Sequence, residues 1–146
     1  MTMQEYLGQG RMLEKRIAYD VEKLKGIRLL ALSVSGPNLS GAGVQTSPAG
    51  DAPFVRTLER IAEMQERISS EIDTLLSLRE QMDRVIRQLP REDYQMLLAY
   101  RYMENMTWDE VSDRLLIGRT TAKEWHRAAM AMLTLPEEPI RIRAAS

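Results

Sequence analysis

Apolar residues recur in steps of three and four along most of the chain, with one interruption before its midpoint. Leu13, Ile17, Val21, Leu24, Ile27 and Ala31 form the first stripe among largely charged neighbours, and the spacing predicts an amphipathic helix over residues 1–33. Thr2 and Glu5 stand at capping-box spacing at its start. From Phe54 the pattern returns as a heptad seam of Leu58, Ile61, Gln65, Ile68, Ile72, Leu75, Arg79, Met82, Ile86 and Leu89, predicting one long helix over 54–89. Such a stripe needs a partner. The first helix folded back as an antiparallel hairpin is one candidate, and a second copy of the chain is the other. The polar members Gln65 and Arg79 then pair across a two-fold axis or lie at the rim of a helix pair.

Between the stripes, residues 34–53 hold Gly36, Gly41, Gly43 and Gly50 with Pro37, Pro48 and Pro53. Glycine and proline at this density predict a disordered loop. Gly41-Ala42-Gly43 is no phosphate loop, because the Lys-Ser/Thr continuation is missing. Leu89-Pro90 ends the long helix, since proline suits the first turn of a new helix and not the interior of an old one. A separate helix is expected over 91–102, with Tyr94, Leu97, Leu98 and Tyr102 packing on Val111, Trp125 and Ala129. Residues 90–135 then make a small domain, and Pro136 and Pro139 lead into a tail, 136–146, expected to fray.

Within that domain, Thr107–Leu133 reads as two helices joined by a short turn, a helix-turn-helix. Thr107 and Glu110 form a second capping-box spacing, with Met106 and Val111 as its hydrophobic staple. Val111 and Leu115 face inward, Ile117 packs in the turn, and Ala122, Trp125, Ala129 and Leu133 mark the inner side of the second helix. Its outer side carries Arg119, Thr120, Thr121, Lys123, Glu124 and Arg127, residue types that meet phosphates and base edges when such a helix enters a major groove. Double-stranded DNA is therefore the expected partner. Arg119 and Lys123 are assigned to phosphate or guanine, Thr120 and Glu124 to base edges, and Thr121 to steadying the backbone. A homodimer is expected as well, because helix-turn-helix proteins gain specificity by reading two half-sites.

The motifs Ile86-Arg-Gln-Leu-Pro90, Leu98-Ala-Tyr-Arg-Tyr102, Trp108-Asp-Glu-Val111, Leu115-Leu-Ile-Gly-Arg-Thr-Thr-Ala-Lys123 and Arg127-Ala-Ala-Met-Ala-Met-Leu133 resemble region 4 of bacterial sigma factors. The Arg101-Tyr102 pair, Trp108, His126 and the helical N-terminal half resemble small phage-encoded transcription regulators of the RinA and ArpU kind. Three positions depart from the sigma-like pattern. Leu116 and Gly118 stand where it more often has Gly in the turn and Ser as the second cap, and Ser112 stands where Ala is usual. The resemblance implies an all-α protein, a helical hairpin or coiled coil followed by the helix-turn-helix domain. It further implies a transcription regulator that contacts host RNA polymerase. An alternative is a phage packaging adaptor resembling a small terminase subunit, with the long helices oligomerising.

Composition adjusts this picture. The net charge is −1, from 20 basic and 21 acidic residues, so DNA binding must come from local arrangement rather than from overall charge. There are no cysteines, which removes disulfides and Cys-based zinc sites. No apolar run has the length of a membrane span and no signal-peptide core precedes the first helix, so a cytoplasmic protein of a bacterial host cell without membrane contact is expected. No cofactor is expected. Catalysis is not expected either: His126, the single histidine, falls by helical phase on an inner flank without a Ser or Cys nucleophile beside it.

Overall fold

Two long helices precede a group of short ones. Helix α1 runs over Met3–Ser40 and α2 over Pro48–Ile86. Helix α3, Glu92–Leu98, passes into a π-helical turn at Ala99–Met103, and α4 (Trp108–Leu115) and α5 (Arg119–Met132) follow. The computed structural model describes the backbone of residues 1–40 and 48–142 and the side chains of 1–33 and 52–142. Among the described residues every regular element is helical, as the periodicity predicts. None of the described helices is long and apolar enough to cross a membrane.

The helix ends follow local chemistry. Thr2 Oγ1 accepts the Glu5 N–H at 3.1 Å and caps α1. The loop expected over 34–53 is shorter than its composition implies, since α1 continues to Ser40 and α2 already begins at Pro48. Pro48 opens the helix, where its missing N–H has no intrahelical partner to lose, whereas Pro53 lies inside it. Thr57 Oγ1 donates to the Pro53 carbonyl at 3.0 Å. Residues 41–47, which include Gly41-Ala42-Gly43, lie outside the described residues. Helix α2 stops at Ile86 rather than Leu89, and Gln88 and Leu89 close on Val85 and Ile86 through three-residue hydrogen bonds of 3.2 and 3.1 Å.

The chain divides into two compact units, Met1–Glu14 with Thr74–Ser146, and Lys15–Asp73. In the second unit, Ile17, Val21, Leu24 and Ile27 of α1 are buried or half-buried as their spacing predicts, together with Ile61, Met64 and Ile68 of α2. Asp20, only 5% exposed, hydrogen-bonds Glu71 across the pair. A core this thin is that of two helices alone. In the first unit, Tyr6 and Leu7 of α1 and Leu78, Met82, Val85 and Ile86 of α2 share one core with Tyr94, Leu97, Leu98, Val111, Ala122 and Ala129. The short helices therefore do not close a domain by themselves over 90–135; both long helices contribute to their core.

The α2 seam keeps one of its two columns whole and the end of the other, where Arg79 is half-buried and Ile86 buried. Ile61, Ile68, Leu75 and Met82 point inward as predicted. Leu58, Gln65 and Ile72, however, are exposed, and the inward alternates are Met64, Glu71, Leu78 and Val85. Helix α1 is the partner of α2 within each unit: Asp20 hydrogen-bonds Glu71, and Glu14 pairs with Arg79 and also accepts from Asn105 Nδ2. Arg79 thus pairs within its own chain.

The tail is the second departure. Residues up to 142 are bound to the first unit, with Leu133, Leu135, Ile140 and Ile142 packed on its core and the 138–142 backbone tied to Gln9 and Gln81. The last four residues lie outside the described ones.

Candidate nucleic-acid interface

Helix α4 is launched by the capping box that its sequence announces. Thr107 Oγ1 accepts the Glu110 N–H, and the Glu110 carboxylate accepts the Thr107 N–H, both at 3.2 Å. Buried Val111 fixes the helix to the core. Its end is less ordinary: Leu116 takes φ 57° and ψ 43°, left-handed backbone that glycine adopts without cost, and its side chain is 90% exposed. The Ile117 N–H then closes on the Ser112 carbonyl at 3.1 Å. Gly118 opens α5 without a side-chain cap. A turn of three residues, 116–118, thus joins the two helices.

Helix α5 is pinned by Ala122 and Ala129, both fully buried, and by half-buried Trp125 against Tyr94, with ring centroids 5.9 Å apart. That leaves Arg119, Thr120, Lys123, Glu124 and Arg127 exposed on the outer side, with Thr121 half-buried at its edge. The structure therefore brings five of the six assigned contact residues onto one free face and tucks the sixth partly beneath it. Arg119 is not unengaged: its Nη1 lies 3.3 Å from Asp109 Oδ1 of α4. Both groups are solvent-exposed, and such a pair contributes only about 0–1 kcal/mol. Lys123, Arg127 and His126 line a shallow depression of about 390 Å³ with Gln4, Trp108 and Met130.

Beneath the ridge sits a polar-aromatic cluster. Tyr102 Oη lies 2.6 Å from His126 Nε2, and Trp108 meets the His126 ring edge-on at 5.1 Å between centroids. Burial lowers the His126 pKa, with the Arg101 charge acting in the same direction, and burial raises that of Tyr102. The imidazole is therefore neutral, and with its proton on Nδ1 the phenol donates to Nε2. Arg101 stacks over Trp108 at 4.7 Å and donates to the Met106 carbonyl at 2.8 Å, bracing the connection into α4. The π-helical turn supplies this geometry: Glu104 N–H reaches back five residues to the Ala99 carbonyl at 3.0 Å, and Met106 N–H reaches Tyr100 O at 3.0 Å.

Sequence reasoning named Arg101 and Tyr102 as part of a resemblance and gave Tyr102 a packing role on Val111, Trp125 and Ala129, but placed neither beside His126. Their adjacency was visible; their convergence on Trp108 and His126 depends on a wide turn that no periodicity announces. Gln4 was missed entirely, since nothing in the first turn of α1 signals proximity to α5.

These features define an all-helical protein in which a short two-helix motif presents a cationic outer ridge from a core built partly by the long helices. The chain belongs to a family described as "Protein of unknown function (DUF1492)", whose model matches residues 54–134. Nothing matches it among curated proteins or among solved structures.

Proposed function

We propose that the protein is a sequence-specific DNA-binding transcription regulator that places α5 in the major groove. The observation that carries this reading is the uncovered outer face of α5, where Arg119, Lys123 and Arg127 stand together on a helix fixed from beneath. Arg119 and Lys123 contact phosphate or guanine, and Thr120 and Glu124 read base edges. The likeness to sigma region 4 and to phage regulators of the RinA and ArpU kind supports a phage-encoded protein that works in the host cytoplasm. Contact with host RNA polymerase and binding as a homodimer belong to the same reading. Selection of bound fragments from the source genome, followed by anisotropy titrations across salt concentrations, tests it. Affinity should fall linearly in log–log form with salt. Absence of any selected duplex at low salt would remove the reading.

A second reading, a packaging adaptor resembling a small terminase subunit, draws on the net charge of −1 and on exposed Leu29, Leu30, Leu32, Phe54, Val55 and Leu58 in the second unit. Ring-sized oligomers in solution would favour it over the first.

A further inference from the structure

Two carboxamides hold the tail by its backbone. Gln81 accepts the Ile140 N–H on Oε1 at 2.9 Å and donates from Nε2 to the Glu138 carbonyl at 3.0 Å. Gln9 donates from Nε2 to the Ile140 carbonyl at 2.8 Å and accepts the Ile142 N–H on Oε1 at 2.7 Å. Every bond comes from residues 138, 140 and 142, the alternation of one edge of an extended chain. Each primary amide thereby offers the donor and acceptor that the peptide groups of a neighbouring strand would offer.

The two glutamines are set in place beforehand. Gln9 is 7% exposed and its Nε2 also reaches the Tyr6 carbonyl at 3.2 Å. The Tyr6 hydroxyl donates to Gln81 Oε1 at 2.8 Å, and burial pushes its pKa up to about 12, so the donor persists throughout the working pH range. Ile140 and Ile142 add apolar contact with the core. The cleft thus recognises an extended backbone with apolar residues two apart, independently of most of the sequence it holds.

Each copy of the chain carries both this cleft and the segment that fills it. Pro136 and Pro139 flank two exposed glutamates, Glu137 and Glu138, forming a short joint before the bound segment. Exchanging that segment between copies would preserve the same bonds, which is the low-cost route to a dimer that identical elements provide. We propose that the Gln9–Gln81 cleft is a docking site for an extended chain whose occupant in trans is the 138–142 segment of a second copy, giving a tail-exchanged homodimer. The proposal does not depend on DNA binding and is tested without DNA.

Equal amounts of heavy-isotope and unlabelled full-length protein, each with a photoreactive benzoylphenylalanine in place of exposed Arg141, are mixed at tens of micromolar and illuminated. Products joining position 141 of one isotopic form to the first turns of α1 in the other are expected. Cross-links confined to single chains would overturn the proposal. Sedimentation equilibrium of the unmodified protein gives an independent reading. Deleting residues 138–146 removes the segment that would be exchanged, and that variant should sediment as a monomer at concentrations where the full chain is a dimer. A monomeric full-length protein, or a dimer that survives the deletion, would equally rule out tail exchange.

Discussion

The Tyr102 hydroxyl and His126 Nε2, 2.6 Å apart, join the π-helical turn to the helix that carries the cationic ridge. Tyr102→Phe leaves that nitrogen half-buried without its donor, and should cost about 1 kcal/mol of stability. With the phenol as donor that bond favours the neutral imidazole, so its loss should let the pKa rise, while burial and the Arg101 charge still hold it below the ordinary 6.5. His126 is the single histidine. Its titration is therefore readable by NMR without assignment, and an unchanged midpoint in the variant would show the contact to be energetically idle.

Protonation should pull the two units in opposite directions. In the first unit the His126 pKa is lowered, so the stability it confers is present above 6.5 and is lost as pH falls below that value. In the second unit Glu71 is raised from 4.5 to about 7, by burial first and then by the hydrogen bond and charge of Asp20, with Arg16 and Arg67 opposing. Its Oε1 is buried without a hydrogen-bond partner, which disfavours the charged form. The Glu71 contribution is complete below 4.5, declines as pH rises toward 7, and stays low above it. Hydrogen exchange resolved by segment should show α1–α2 amides of the second unit opening more readily at pH 8 than at pH 5. Glu71→Gln should flatten that dependence; the same slope in the variant would transfer the effect to another group.

Leu116 pays for the tight turn. A non-glycine residue in left-handed backbone costs about 1–2 kcal/mol, and this side chain, 90% exposed, recovers little by burial. Leu116→Gly should therefore raise stability by about 1 kcal/mol, reduced somewhat by the greater freedom that glycine gives the unfolded chain. Gly118→Ser should add a few tenths of a kcal/mol by capping α5, since a new Cβ there meets nothing within 4 Å. Chemical denaturation measures both. A destabilised Leu116→Gly would mean that the leucine makes a contact in solution that its exposure hides.

On the outer ridge, Asp109 pairs with Arg119. If α5 is the reading helix, Asp109→Asn should tighten DNA binding several-fold, and Lys123→Ala should weaken it by about 1 kcal/mol while lowering the salt slope by roughly one unit. Circular dichroism of both variants should match the parent, because neither residue is buried. Unchanged affinity in both would remove α5 from the interface.

What the sequence discloses here follows the range of the interactions. The Thr107–Glu110 box is legible because its partners are three residues apart, and the Ile61, Ile68, Leu75 and Met82 column because a helix repeats every seven positions. The first part of the second column was misread because hydrophobicity ranks Leu58 and Ile72 above Glu71, whereas Glu71 meets Asp20, a residue of another helix. The bound tail was invisible for the same reason, since Gln9 and Ile140 are 131 positions apart and glutamine carries no spacing signal. On the ridge, side-chain identity and helical phase sufficed to place five residues outward. The pairing of Arg119 with Asp109 and the bracing by Arg101 required the turn geometry.

The π-helical turn at Ala99–Met103 accommodates more residues in its coil than an α-helical turn would. Removing one residue from this segment would restore ordinary winding and shift the side chains within the turn relative to those beyond it. Arg101 would swing off the indole and the phenol off the imidazole, although every amino acid of α5 would be unaltered. The aim of the ridge is thus encoded as an arithmetic surplus upstream, and a gap of one here would be more damaging than many replacements within the ridge itself.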